Sequence, residues 1–134
     1  MRALRVLLVM DAAVLFLLGL LLIVAPRRVA WAFQFQNLPV GVDYIVTLWG
    51  CALATLAIGY LVAAQDPVRH AVWVQVGIAR GALECVVGLV YLARGIVSFQ
   101  QAGLGIILPG VLALAYLVLY PREALPAEGE AAPA

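Results

Sequence analysis

Four long apolar runs, separated by short polar punctuation, set the pattern of this chain. The first is LRVLLVMDAAVLFLLGLLLIVA, residues 4–25, ended by Pro26 and the pair Arg27–Arg28. The second is VDYIVTLWGCALATLAIGYLVAA, residues 42–64, ended by QDP. The third is AVWVQVGIARGALECVVGLVYLA, residues 71–93, and the fourth is AGLGIILPGVLALAYLVLY, residues 102–120, ended by Pro121. Each approaches the roughly 20 residues that a helix needs to cross a bilayer. Backbone in lipid must satisfy its own hydrogen bonds, so runs of this length are helices. The roughly ten-residue alternating strands of a membrane barrel do not fit them. The pattern predicts an all-α integral membrane four-helix bundle, up-down-up-down, as one domain over residues 1–120.

Composition points the same way. Of 134 residues, 66% are hydrophobic and 11% charged, and the mean hydropathy is +1.11. A soluble domain carries about 25% charged residues, so the solvent for most of this surface is the lipid bilayer. The net charge of +1 gives no support to a nucleic-acid partner. The segment 121–134, rich in Ala, Pro and Glu, is expected to be a disordered tail. The N-terminal run exceeds the roughly 7–15 apolar residues of a signal peptide and contains Asp11, which favours an uncleaved first span.

The loop at residues 26–41 holds Trp31, Phe33 and Phe35 between two prolines, a composition suited to anchoring at the headgroup level. Arg2, Arg5, Arg69 and Arg122 fall at one end of the bundle and Arg27, Arg28 and Arg94 at the other. That slight excess predicts both termini in the cytoplasm. Cys51 and Cys85 form no CxxC, and the single histidine, His70, is in a polar loop. No metal site, cofactor or catalytic constellation is predicted.

The third run carries charge at its centre. Projected at about 100° per residue, Gly77, Arg80, Gly81, Glu84, Gly88 and Tyr91 share one face. Charged groups inside a membrane look toward protein or a wet cavity. Gly77, Gly81 and Gly88 form a packing seam that lets another backbone approach. Arg80 and Glu84, four residues apart, can neutralise each other. Asp11 is a third partner: about 10 Å into its span against about 13 Å for Arg80, at 1.5 Å per residue. Asp11, Arg80 and Glu84 are therefore the candidate charge cluster, or ligand or proton site. Asp43 and Thr47, on a stripe with Gly50 and Ala54, and Tyr91 are candidate pocket linings. Pro109 is expected to kink the fourth helix or free a carbonyl.

A repeat is also visible. A shift of 69 positions lays the first span on the third, Gly19 on Gly88 and Asp11 on Arg80, and GYLV at 59–62 echoes AYLV at 115–118. Two repeated hairpins would be related by an axis along the membrane normal.

The segments LFLLGLLLIVAP, WGCALATLAIGYLVAAQDP and ARGALECVVGLVYL give the chain a layout that resembles the BphX-like and DoxX-like groups of small bacterial four-span proteins. The resemblance implies a compact four-helix bundle. It supplies no functional residues, because those groups are largely uncharacterised. The expected function is a non-enzymatic bundle acting in membrane assembly, as a homo-oligomer or within a larger complex. The alternative is a carrier or binding protein for protons, a small solute or a lipid headgroup at Asp11, Arg80 and Glu84.

Overall fold

The computed structural model describes residues 1–122. The tail expected from residue 121 falls outside the described residues beyond Arg122. Five helices follow in order: α1 Arg2–Val24, α2 Pro26–Ala32, α3 Val40–Gln65, α4 Ala71–Ala93 and α5 Phe99–Val118. All but the short α2 are long and apolar enough to cross a membrane. The protein is an all-α membrane bundle of four spans in up-down-up-down order. One end holds the N-terminus, the connection at 66–70 and the end of α5. The other, distal end holds α2, the loop at 33–39 and the connection at 94–98.

The helix ends follow from local chemistry. Pro26 has no N–H to extend α1 and takes the first position of α2 instead, where a missing donor costs nothing. Pro39, at the N-cap of α3, opens that helix two residues earlier than the apolar run. Gly95, at φ +68, ends α4: its N–H donates to the Leu92 carbonyl, and the Ile96 N–H donates to the Tyr91 carbonyl at 3.1 Å. This is the Schellman arrangement, and its left-handed residue suits glycine. Helix α5 starts three residues before the apolar run at 102, because Ser98 caps it. The Ser98 hydroxyl accepts from the Gln101 N–H, and the Gln101 side chain accepts from the Ser98 N–H. That capping box is written in the sequence as S-x-x-Q. The helix then runs through Pro109 to Val118.

The four spans pack as two hairpins, α1 with α3 and α4 with α5. Glycine brings each pair together. A Cβ on Gly50 would lie 2.7 Å from the Gly19 carbonyl oxygen and 2.8 Å from the Leu22 Cβ. In the second hairpin, a Cβ on Gly81 would collide with the Pro109 carbonyl, and one on Gly88 would lie 2.5 Å from the Ile106 Cγ1. With no hydrophobic drive between helices in lipid, such close backbone approach supplies the dispersion energy of association. The seam predicted on α4 is thus filled by α5 of the same chain: Gly77 lies against the Tyr116 ring, Gly81 against Pro109 and Ala113, and Gly88 against Ile106.

Gly50→Ala should cost about 1–3 kcal/mol, the usual range for overpacking, while Gly105→Ala should gain about 0.5–1 kcal/mol. Gly105 is within α5 and has nothing near the added methyl, so only the helix preference for alanine acts. Thermal unfolding of both variants in the same detergent checks the opposite signs.

Candidate functional site: a charge and tyrosine network between the hairpins

Large polar and aromatic side chains join one hairpin to the other. Asp11 stands nine residues into α1, and Arg80 stands nine residues into α4. At 1.5 Å per residue both lie about 14 Å from the N-terminal end of the bundle. The two helices run in the same direction, so the groups meet at one depth. Arg80 Nη2 donates to both Asp11 oxygens, at 3.1 Å to Oδ1 and 3.0 Å to Oδ2. The Tyr116 hydroxyl, from α5, donates to Asp11 Oδ2 at 2.7 Å. Asp11 is 2% exposed and would be a costly bare charge without these donors.

Tyr60 completes the network from α3. The Arg80 guanidinium carbon lies 5.4 Å from the centre of the Tyr60 ring, within cation–π range. Trp73 meets the same ring edge-on, and Tyr116 flanks it with ring centres 6.2 Å apart. Gly59 makes room for Trp73, whose ring occupies the place a Cβ would take. Tyr60 and Tyr116 are fully buried.

These contacts obey the internal repeat. A shift of 69 positions takes Asp11 to Arg80, and a shift of 56 takes Tyr60 to Tyr116. The same two shifts take Gly19 and Gly50, which touch, to Gly88 and Ile106, which also touch. They carry the buried Ala12, Leu53 and Ala57 onto Gly81, Pro109 and Ala113, which pack together. Across the hairpin boundary the relation is reciprocal. Asp11 of the first hairpin meets Tyr116 of the second, and Arg80 of the second meets Tyr60 of the first. The two charged positions are equivalent, and so are the two tyrosines. The chemistry differs because an anion takes the phenol hydroxyl and a cation takes the ring face.

Glu84 belongs to the cluster only loosely. Its Oε1 lies 4.0 Å from Arg80 Nε, and its side chain is 37% exposed against 11% for Arg80. Arg80 Nε and Nη1 and the Tyr60 hydroxyl are buried without hydrogen-bond partners among the described residues. The guanidinium therefore spends one nitrogen on Asp11 and has no hydrogen bond to Glu84.

The remaining predicted positions lie elsewhere. Asp43 is at the distal end, three residues into α3, where its Oδ2 accepts from Arg27 Nε at 2.6 Å. The Thr47 hydroxyl donates to the Asp43 carbonyl at 2.8 Å. Asp43 stands about 5 Å above the distal end of its helix and Arg80 about 20 Å, at 1.5 Å per residue. Asp43 and Thr47 therefore do not line the Arg80 site. Tyr91 is 46% exposed and, seven residues beyond Glu84, sits near the distal end of α4. It lines no common pocket with Arg80. Gly50 and Ala54, on the stripe with Asp43, face Gly19. No group of three metal-ligating side chains occurs among the described residues.

The tyrosines were not among the residues picked out from sequence. The signal for them was present: both are the Y of the GYLV and AYLV echo. Fold and network together define a small polytopic membrane protein built of two interlocked hairpins. Comparison with family models, curated proteins and solved structures gives no match.

Tyr116→Phe should cost about 1.5–3 kcal/mol, the range for a hydrogen bond to a charged group. Tyr60→Phe removes a hydroxyl that has no partner and should cost nothing. Asp11→Asn should cost about 3–5 kcal/mol by stranding a buried guanidinium. The exchange Asp11→Arg with Arg80→Asp should recover only part of the loss of either single change, because Arg80→Asp sets a second carboxylate four residues from Glu84. Denaturant unfolding in mixed micelles reads all of these, and equal costs for the two Tyr→Phe variants would contradict the assignment.

Proposed function

We propose that the protein is a non-enzymatic membrane bundle whose α4 face binds another membrane-embedded helix, so that it works as an assembly partner within the bilayer. One observation carries this reading: Glu84, about 20 Å along a helix of about 35 Å at 1.5 Å per residue, is 37% exposed and lacks a hydrogen bond to Arg80. A charged group facing hydrocarbon near the bilayer centre costs about 2.5–3.5 kcal/mol on insertion scales, and such residues mark protein or water contacts. The Asp11 end of the cluster is sealed, which suits a structural ion pair. The Glu84 end is open, which suits recognition.

The face around Glu84 supports the same reading. Of the four spans, α4 is the least covered by its own chain, with Leu83, Val86, Val87 and Val90 exposed beside Glu84. The complementary partner is a helix that brings a hydroxyl, amide or basic group to mid-membrane depth among apolar residues. We place both termini on the cytoplasmic side, on the balance of arginines between the two ends.

The two unpartnered Arg80 nitrogens favour a second reading, a carrier for protons or a small anion at Asp11, Arg80 and Glu84. That reading requires Glu84→Gln to alter transport in proteoliposomes or ligand-induced thermal stabilisation.

A photo-crosslinking residue at Val87, in intact membranes, should give a discrete protein adduct that Glu84→Leu abolishes. The same probe at Val14 on α1, also exposed, should give none. An unchanged adduct in Glu84→Leu, or no adduct at Val87, refutes the assembly reading.

A further inference from the structure

The distal end of the bundle carries two adjoining grooves that the network leaves unused. One, of about 600 Å3, is lined by Val24, Ala25, Pro26, Arg27, Arg28 and Asp43. The other, of about 360 Å3, has Trp31, Phe35, Gln36 and Asn37 among its walls and shares Arg27 and Asp43 with the first. The Arg27–Asp43 ion pair thus forms the partition between them. We propose that this partition is a binding site for the phosphodiester of an anionic membrane phospholipid, held by Arg27 and Arg28.

The geometry of Arg27 is the main support. Its Nε is fixed by Asp43 Oδ2 at 2.6 Å, while its side chain is 64% exposed. Its two terminal nitrogens make no hydrogen bond among the described residues. A guanidinium oriented through Nε and free at its outer edge is arranged to donate a fork of N–H groups to phosphate. Arg28 is exposed beside it and adds a second positive charge.

Surroundings select a lipid over a free anion. Val24 and Val40, 73% and 77% exposed, flank the site at the facing ends of α1 and α3. They offer an apolar path for acyl chains down the outside of the first hairpin. Trp31, at 69% exposed, is the residue type that settles at headgroup depth. The charge balance selects an anionic lipid over a zwitterionic one. Asp43 is already engaged by Arg27 and is the only acidic residue at this end among the described residues. Among the described residues no free carboxylate is left there for an ammonium headgroup.

The test uses the full chain in neutral detergent, with native mass spectrometry and thermal unfolding read together. Phosphatidylglycerol should bind in discrete adducts and raise the melting temperature more than phosphatidylcholine. The double variant Arg27→Gln with Arg28→Gln should bind phosphatidylglycerol about 30-fold more weakly, from about a fivefold contribution per basic residue at a membrane surface. Its lipid-free melting temperature serves as the folding check, and Arg28→Gln alone keeps the Asp43 pair if the double variant fails it. Arg94→Gln, at the same end but outside both grooves, should bind like the parent. Loss of binding in Arg94→Gln equal to that of the double variant would reduce the effect to net charge and overturn the site. Retained phosphatidylglycerol preference in the double variant, or an equal shift from inorganic phosphate, would overturn it too.

Discussion

One buried carboxylate ties the structure together. Asp11 takes two hydrogen-bond donors, Arg80 Nη2 and the Tyr116 hydroxyl, and both come from the other hairpin. The first hairpin cannot hold Asp11 alone at that depth, because a bare ion in hydrocarbon is expensive. Separating the hairpins would strand Asp11 and leave Arg80 with only its looser pair to Glu84 on the same helix. The specificity of their docking therefore resides in electrostatics, and the tightness of each hairpin in glycine contacts. Those two devices divide most of the work: backbone contact at small residues within a hairpin, and large polar and aromatic side chains between hairpins, where Gly59 serves to admit the Trp73 ring. This division follows from the solvent. Lipid makes apolar burial nearly neutral for helix association, so backbone proximity and hydrogen bonding are what remain to hold helices together.

The charge cluster is graded across the bundle. Asp11 is enclosed, Arg80 is nearly so, and Glu84 reaches the outer surface of α4. A cation between two carboxylates, one dry and one uncovered, balances the inner charge fully and the outer one only through 4.0 Å of separation. The proposed partner surface follows from that gradient. A partner that donated to Glu84 would complete a row of charges running from the centre of the bundle to its face. The distal grooves are a separate matter, because about 15 Å of apolar helix, at 1.5 Å per residue, lies between Asp43 and the depth of Arg80.

Much of this was legible in the sequence, for reasons that differ by residue. The spans are visible because lipid demands length and apolarity, and the α4 boundaries at 71 and 93 follow directly. The meeting of Asp11 with Arg80 is visible because parallel spans fix depth by residue count. Helix α2 was not legible as a helix: seven residues are too few for a periodic signal, and Pro26 reads as a stop before it reads as a start. Asp43 lines the distal grooves and not the Arg80 site, because a helical face says which residues align and not which end of the bundle they occupy. Tyr91 is set apart in the same way, since sharing a face with Glu84 placed it one further heptad along and off the network. Glycine spacing on α4 told that something packs closely there, but not whether the neighbour was α5 or a second chain. Only the three-dimensional arrangement distinguishes them, and it gives α5.

The repeat, with its reciprocal contacts, accounts for the opposite charges of the network if the hairpins are related by a twofold axis. Equivalent positions close to a twofold axis come face to face, and 11 and 80 are in contact. Two identical hairpins would therefore set aspartate against aspartate, or arginine against arginine, in a medium that screens neither. Like charges there would repel strongly. Two hairpins within one chain are free of that constraint, because the equivalent positions 11 and 80 can carry different residues. The chain uses the freedom at that pair and retains the equivalence at Tyr60 and Tyr116, since a phenol serves an anion through its hydroxyl and a cation through its ring. The same side chain thus fits both halves of an asymmetric ion pair. The unpartnered Tyr60 hydroxyl is the trace of this arrangement: its counterpart on Tyr116 is used, and at Tyr60 the ring face does the binding.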